Sequence, residues 1–276
     1  MASSTSAAPG SRRRPAAPSL GASLSRLLDY LPAVLVLLAG LVLWEVMTAG
    51  PGRRVLPAPS VILNGFGSNA DLLTRSAMNT YWEALGGLAI GTVAGLMVAF
   101  ATARWVGARE ALLPIAIAAN SIPIIALAPI LNNWFGVLNP LSKMMMAAML
   151  VFFPVMINVT RGLVSVNPAS LELMRSYATS EWTVLRKVRI PSMLPFFFTA
   201  LKVGTTLSFI GAIVGEYFGG TSAVLGRVIL TSMSSGRFDV AWAGILIGAL
   251  GAILAYVLVV LVERLVIPWH SALRNQ

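Results

Sequence analysis

The sequence predicts an all-α fold: a polytopic transmembrane helical bundle of about six spans. Three observations carry this. The 276 residues are 57% hydrophobic and only 11% charged, against about 25% charged in a soluble domain. Apolar runs long enough to cross a bilayer recur along the chain. Of the 20 Lys plus Arg, only Arg53, Arg54, Arg75, Lys143, Arg227 and Arg237 fall on one side of a six-span layout, leaving 14 on the other. That asymmetry is the positive-inside bias, and it puts both termini in the cytoplasm.

In chain order, residues 1–30 read as a disordered cytoplasmic tail rich in Ala, Ser, Pro and Arg. Arg12–Arg14 before an apolar run also fits an export signal, but the reading adopted is a retained first span, Leu31–Thr48. PGRRVLPAPS follows outside, with a short surface helix near Ser60–Phe66. Span two, about 79–103, carries Gly87, Gly91 and Gly95 at four-residue spacing, which lets helices approach closely in lipid. Arg104, Arg109 and Glu110 mark an inner loop. Span three, about 112–135, is interrupted by Pro114, Pro123 and Pro129. Asn120, Ser121, Asn132 and Asn133 lie along it, and backbone freed by proline is tolerated where a water cavity or neighbours satisfy it. Asn120, Ser121, Pro123 and Asn132 are therefore candidates to line a pathway, joined by Met149 of span four (about 143–164). Met149 belongs to a Met cluster that also suits adaptable packing. Spans five (about 194–218) and six (about 240–261) enclose an outer loop with a short helix near Ala223–Met233. Glu216, near the outer end of span five, is an intramembrane acid and a further pathway candidate. Lys202, early in span five, is expected to snorkel. The membrane domain is 31–265, with a short cytoplasmic tail at 266–276.

Between spans four and five lies a charge-bearing amphipathic stretch, residues 167–195, NPASLELMRSYATSEWTVLRKVRIPSMLP. Pro168 suits a first helical turn. Ser180 suits an N-cap with Glu181 behind it. The stretch reads as two short helices at a sharp turn, closed by Pro191 and Pro195.

This segment resembles the EAA loop of binding-protein-dependent ABC importer permeases (type I fold). Glu172 stands at the position of that pattern's Glu. Leu173 and Met174 replace its two Ala, and Ala178 replaces its Gly. Ile190-Pro191 and Leu194-Pro195 form the close. LPAPS at Leu56–Ser60 and SIPIIALAP at Ser121–Pro129 extend the likeness, which is to the sulfonate, taurine, nitrate and thiamine-precursor type. The resemblance implies a cytoplasmic coupling helix that docks on ABC ATPase subunits through Glu172, Leu173, Met174, Arg175, Tyr177, Ala178, Glu181 and Trp182. It also implies an extracytoplasmic solute-binding protein, ATP and Mg held by the partner ATPase rather than by this chain, and a bacterial inner membrane. Five or six spans are too few to enclose a wide polar path, so a second permease subunit is expected, a homodimer in preference to a heterodimer.

Other classes fit poorly. The basic charge is dispersed between apolar runs rather than gathered in one stripe, so no nucleic acid partner is expected. The chain has no Cys and a single His, His270, which removes thiolate chemistry and His-based triads. No GxxxxGK[ST] loop is present, so the chain is not an ATPase. No metal-ligand spacing is visible. The alternative is an ion-coupled secondary transporter, for which the intramembrane acids Glu45, Glu83 and Glu216 are thin support.

Overall fold

The computed structural model describes residues 20–48, 50, 55–119 and 122–268. These are helical, with no strand among the described residues. The chain divides into two units, Met1–Gly50 and Pro51–Gln276. The first contains α1 (Leu20–Thr48), whose Leu31–Thr48 portion is an apolar span with no buried side chain. The helix begins eleven residues before the expected span, inside the segment expected to be disordered. Leu20, Leu24, Leu27 and Leu28 recur at helical spacing there.

The second unit starts with α2 (Pro59–Ser68), its proline at the first helical position. Then come α3 (Ala70–Arg104), α4 (Val106–Ala119), a 3₁₀ turn at Ile124–Leu127, α5 (Ala128–Phe135) and α6 (Pro140–Val164). α7 (Pro168–Ser176), α8 (Glu181–Val184), a π turn at Leu185–Arg189, α9 (Ile190–Phe218), α10 (Leu225–Ser234) and α11 (Phe238–Val266) complete it. Among the described residues, five helices are long and apolar enough to cross a membrane.

The third expected span is not one helix. Only Trp105 separates α3 from α4, so the inner loop expected at 104–110 is mostly helix. α4 stops at Ala119, and Pro123, held extended with ψ 95°, starts a 3₁₀ turn. Neither α4, of 14 residues, nor α5, of 8, reaches the roughly 20 that a bilayer requires.

The core is built from α3, α6 and α9. A Cβ on Gly87 would lie 2.4 Å from the Ala147 Cβ, and one on Gly91 would lie 2.5 Å from the Ala148 carbonyl oxygen. The glycine stripe therefore packs inside one subunit against α6. α9 approaches the opposite side of the same alanines: a Cβ on Gly211 would lie 2.7 Å from the Ala147 Cα. Around these contacts Ala99, Val151, Val155, Val159, Leu163, Met193 and Ala200 form a buried cluster. Thr102 and Thr160 are joined across α3 and α6 by a buried 3.1 Å hydrogen bond. α11 is fastened by Tyr81, whose hydroxyl donates to the Ile247 carbonyl at 2.6 Å and whose ring fills the space over Gly251.

Lys202 does not snorkel. Its Nζ reaches Glu263 of α11 at 2.9 and 3.2 Å, and the Glu263 side chain is only 4% exposed. A nearly buried charge is costly unless an opposite charge faces it, and here each supplies the other's partner.

Two outcomes test this packing. Gly87→Leu is expected to destabilise the chain in detergent by about 3 kcal/mol or more through overpacking. Gly67→Ala, where no atom lies within 4 Å, is expected to leave the thermal midpoint unchanged. Lys202→Met alone should cost about 3–5 kcal/mol, and Lys202→Met with Glu263→Leu distinctly less. Denaturation in mild detergent reads both.

Candidate functional site

The stretch 167–195 is built by local chemistry. The Asn167 side chain accepts from the Ala169 N–H at 3.0 Å and Pro168 follows, a capped helix start. α7 then ends in a Schellman arrangement. The Ala178 N–H donates to the Arg175 carbonyl at 2.8 Å, and the Thr179 N–H to the Met174 carbonyl at 3.2 Å. That geometry needs a left-handed residue, and Ala178 supplies it with φ +48°, the one positive-φ non-glycine among the described residues. The sharp turn thus survives the replacement of Gly by Ala, at a cost of roughly 1–2 kcal/mol in backbone strain. Ser180 then caps α8, its Oγ accepting from the Thr183 N–H at 3.3 Å.

Pro191 and Pro195 do not close the stretch. Glu181 to Phe218 is one continuous 38-residue helix. Pro191 falls in the first turn of α9 and has no N–H to return to the preceding turn. The backbone adapts by widening into the π turn, where the Ile190 N–H reaches back to the Leu185 carbonyl. The Ser192 hydroxyl occupies the Val188 carbonyl at 2.8 Å.

α7 buries none of its residues. Leu173 is 56% exposed and Tyr177 73%. Glu172, Arg175 and Ala178 are exposed beside them, with Met174 half-buried. This is an unpartnered amphipathic face on a rigidly capped helix. Glu181 and Trp182 lie apart from it, bordering a hollow of about 310 Å³ with Phe100 and Ala103 of α3.

The proposed pathway residues do not gather in one place. Asn120 and Ser121 lie outside the described residues. Pro123 is exposed ahead of the 3₁₀ turn, and Asn132 is buried under Gly219. Met149 packs on the cluster of Ile124, Ala128, Leu131 and Met146. Glu216 is fully buried and belongs to a different group: Glu83 is 4% exposed, Lys143 1% and Glu216 0%. Lys143 acts electrostatically on both carboxyls. Lys143 is therefore not the outer surface cation expected. The turn before α6 folds back so that Nζ donates to the Val137 and Asn139 carbonyls. Glu216 Oε2 accepts from the Gly226 N–H at 2.5 Å, and the Thr80 hydroxyl accepts from the Leu225 N–H at 2.9 Å. The group thus ties the ends of α3, α6 and α9 to the start of α10. A lysine at the head of an apolar run carries no sequence signal for this.

Together, five apolar spans, a capped external elbow continuous with one of them and a buried charge group define a multi-pass membrane transport subunit. The sequence profile of the family "Binding-protein-dependent transport system inner membrane component" matches residues 91–268, and the chain belongs to that family. It is similar to the riboflavin transport system permease protein RibX of Chloroflexus aurantiacus, 31% identical over 250 residues, covering 88% of this chain and 90% of that one. It is 29% identical over 250 residues to the formylaminopyrimidine transport permease protein ThiX of Halalkalibacterium halodurans, covering 90% and 99%. The taurine transport system permease protein TauC of Escherichia coli is 28% identical over 202 residues, covering 72% and 69%. The protein is thus an ABC importer permease, the membrane component rather than the ATPase, and not a secondary transporter.

Ala178→Gly relieves the left-handed strain and is expected to slow amide exchange across Met174–Ser180 about fivefold, equivalent to about 1 kcal/mol. Hydrogen-exchange mass spectrometry reads it, and an unchanged rate would show that the turn is unstrained.

Proposed function

We propose that this permease takes in a small polar solute handed over by an extracytoplasmic binding protein, and that the stretch 167–195 is where ATPase subunits take hold. The observation that carries this is the continuity of the elbow with span five. α7 offers an exposed apolar face flanked by Glu172 and Arg175, and the helix beginning at Glu181 runs 38 residues to Phe218. At 1.5 Å per residue it reaches roughly 57 Å, from the elbow to the buried Glu216. A displacement of the elbow is transmitted along one rod to the far side of the bundle. Leu173, Met174, Tyr177 and Ala178 enter the ATPase cleft, Glu172 and Arg175 meet its polar rim, and Glu181 and Trp182 border the joint with α3. ATP and Mg stay in the ATPase partner, and this chain carries no cofactor of its own. Nucleotide-driven closure shifts the bundle between two packings that open to opposite sides. Both termini are cytoplasmic, and two copies of the chain form the path. That relatives are named for riboflavin, formylaminopyrimidine and taurine supports the reading of a small polar solute.

The test is Ala178→Asp. Aspartate tolerates the left-handed backbone, so the turn persists while a charge enters the apolar contact. In vesicles with the complete transporter, ATP-driven uptake is expected to fall more than tenfold, with the melting temperature of the permease unchanged. Undiminished uptake would exclude this surface as the coupling contact. Uptake driven by an ion gradient with no ATPase present would exclude the importer mechanism.

A further inference from the structure

The group of Glu83, Lys143 and Glu216 holds two acids and one base, and none of the three is more than 4% exposed. Glu216 Oε2 accepts from the Gly226 N–H at 2.5 Å. The Thr80 hydroxyl accepts from the Leu225 N–H at 2.9 Å and lies against Glu216 as well. The Lys143 ammonium donates to the Val137 and Asn139 carbonyls and acts on both carboxyls. Glu83 Oε2 and Glu216 Oε1 are sealed from solvent, and no N–H or hydroxyl reaches them. What the two carboxyls do meet is each other, in a side-chain hydrogen bond. Tyr217 of α9 and Arg227 of α10 complete the titratable and charged surroundings. Tyr217 feels the charge of Glu216. The Arg227 stem meets Gly220 beside the end of Lys143, and its head pairs with neither carboxyl.

A hydrogen bond between two carboxyls needs a hydrogen, and an ionised carboxylate only accepts. Two carboxylates in contact would repel, and would bury one more negative charge than Lys143 offsets. Two neutral acids would strand the ammonium without a counter-charge. A single proton between them balances the group as one anion, one cation and one neutral acid. The surroundings decide which acid carries it. Glu216 faces the start of α10, where free N–H groups and the helix dipole favour an anion. Val224, which precedes α10, supplies no capping side chain, so Glu216 of α9 and Thr80 of α3 cap that helix instead. No such donor reaches Glu83 Oε2. Glu83 is therefore the neutral acid.

We infer that Glu83 and Glu216 form a proton-binding site, in which the Glu83 carboxylic acid donates its O–H to the Glu216 carboxylate and the held proton latches α10 to α3 and α9. With the proton in place, each oxygen of Glu216 has a donor and the first turn of α10 keeps its anion. With the proton gone, two anions face each other beneath that turn, and the cap is lost as they part. Because the contact is closed to solvent, the proton is exchanged only when α10 lifts. The latch lies at the far end of the helix that starts at the elbow, yet it needs neither nucleotide nor solute to close.

The test uses the full chain at neutral pH in dodecyl maltoside, a detergent without carbonyl groups. Infrared spectroscopy is expected to show the carbonyl stretch of an un-ionised carboxylic acid. Glu83→Gln should remove that band. Its amide N–H₂ can donate to Glu216 in place of the acid, so the thermal midpoint and the amide exchange of Gly226–Val228 should stay as in the native chain. Glu83→Leu supplies no donor and should speed that exchange by about tenfold or more, the cost of stranding a buried acceptor. Glu216→Gln takes the anion from the start of α10 and should speed it likewise, so the two glutamine variants behave oppositely. Hydrogen-exchange mass spectrometry reads these rates. Absence of the acid band, its survival in Glu83→Gln, or α10 exchange unmoved by Glu83→Leu would overturn the assignment. The infrared arm needs only the conservative Glu83→Gln, so the proton remains testable even if Glu83→Leu fails to fold.

Discussion

The bundle depends on how closely α3 and α9 press on α6. Lipid tails are as apolar as leucine, so burying more leucine draws no two helices together. What holds this bundle is dispersion and backbone proximity, available only where side chains are absent or minimal. Gly87 and Gly91 on one side, and Gly211 on the other, converge on Ala147 and Ala148. The two alanines are in effect the spacer between three helices. Everything with chemistry hangs from that contact. The buried charge group sits at one end of the trio and the elbow extends from the other, so neither moves independently of the helices that carry it.

The elbow illustrates how a rigid surface is made from weak local devices. Asn167, Ser180 and the Schellman closure each satisfy one or two backbone groups, contributions of about 1 kcal/mol apiece. Their sum fixes the angle between α7 and α8. The strained Ala178 is tolerated because its neighbours on both sides over-determine it. A surface that must transmit a push benefits from this, since a joint with slack would absorb the displacement. The buried pairing of Lys202 with Glu263 at the same end ties α9 to α11 and stiffens the root of the lever.

Much of this was legible in the sequence. Bilayer thickness dictates apolar runs of a given length, so the first, second, fourth, fifth and sixth spans stand out, as do α2 and α10 between them. The elbow was legible because Asn167-Pro168 and Ser180-Glu181 are capping chemistry written in adjacent residues. The exposed α7 face follows from its own periodicity. What was hidden depended on distant partners. Lys143 reads as an interfacial cation until the Val137 and Asn139 carbonyls fold over it. Lys202 finds its acid 61 residues away. The split of the third span follows from Pro123, which is visible in the sequence, but where the helix stops depends on the backbone around it. Pro191 and Pro195 were misleading for a related reason: proline ends a helix only if nothing accommodates the missing donor.

That accommodation has a geometric consequence. A π turn carries one residue more than an α turn, and one residue corresponds to roughly 100° of rotation about the helix axis. The azimuth of α9 is therefore set at Leu185–Arg189, upstream of every residue it presents to the bundle. Gly204 and Gly211 look inward at α6 because five residues beneath them are wound wide. Shortening that segment by a single position would preserve two intact helices while swivelling the small-residue seam out toward the acyl chains. The bulge is thus the alignment key between the gripped end of the rod and its packed end.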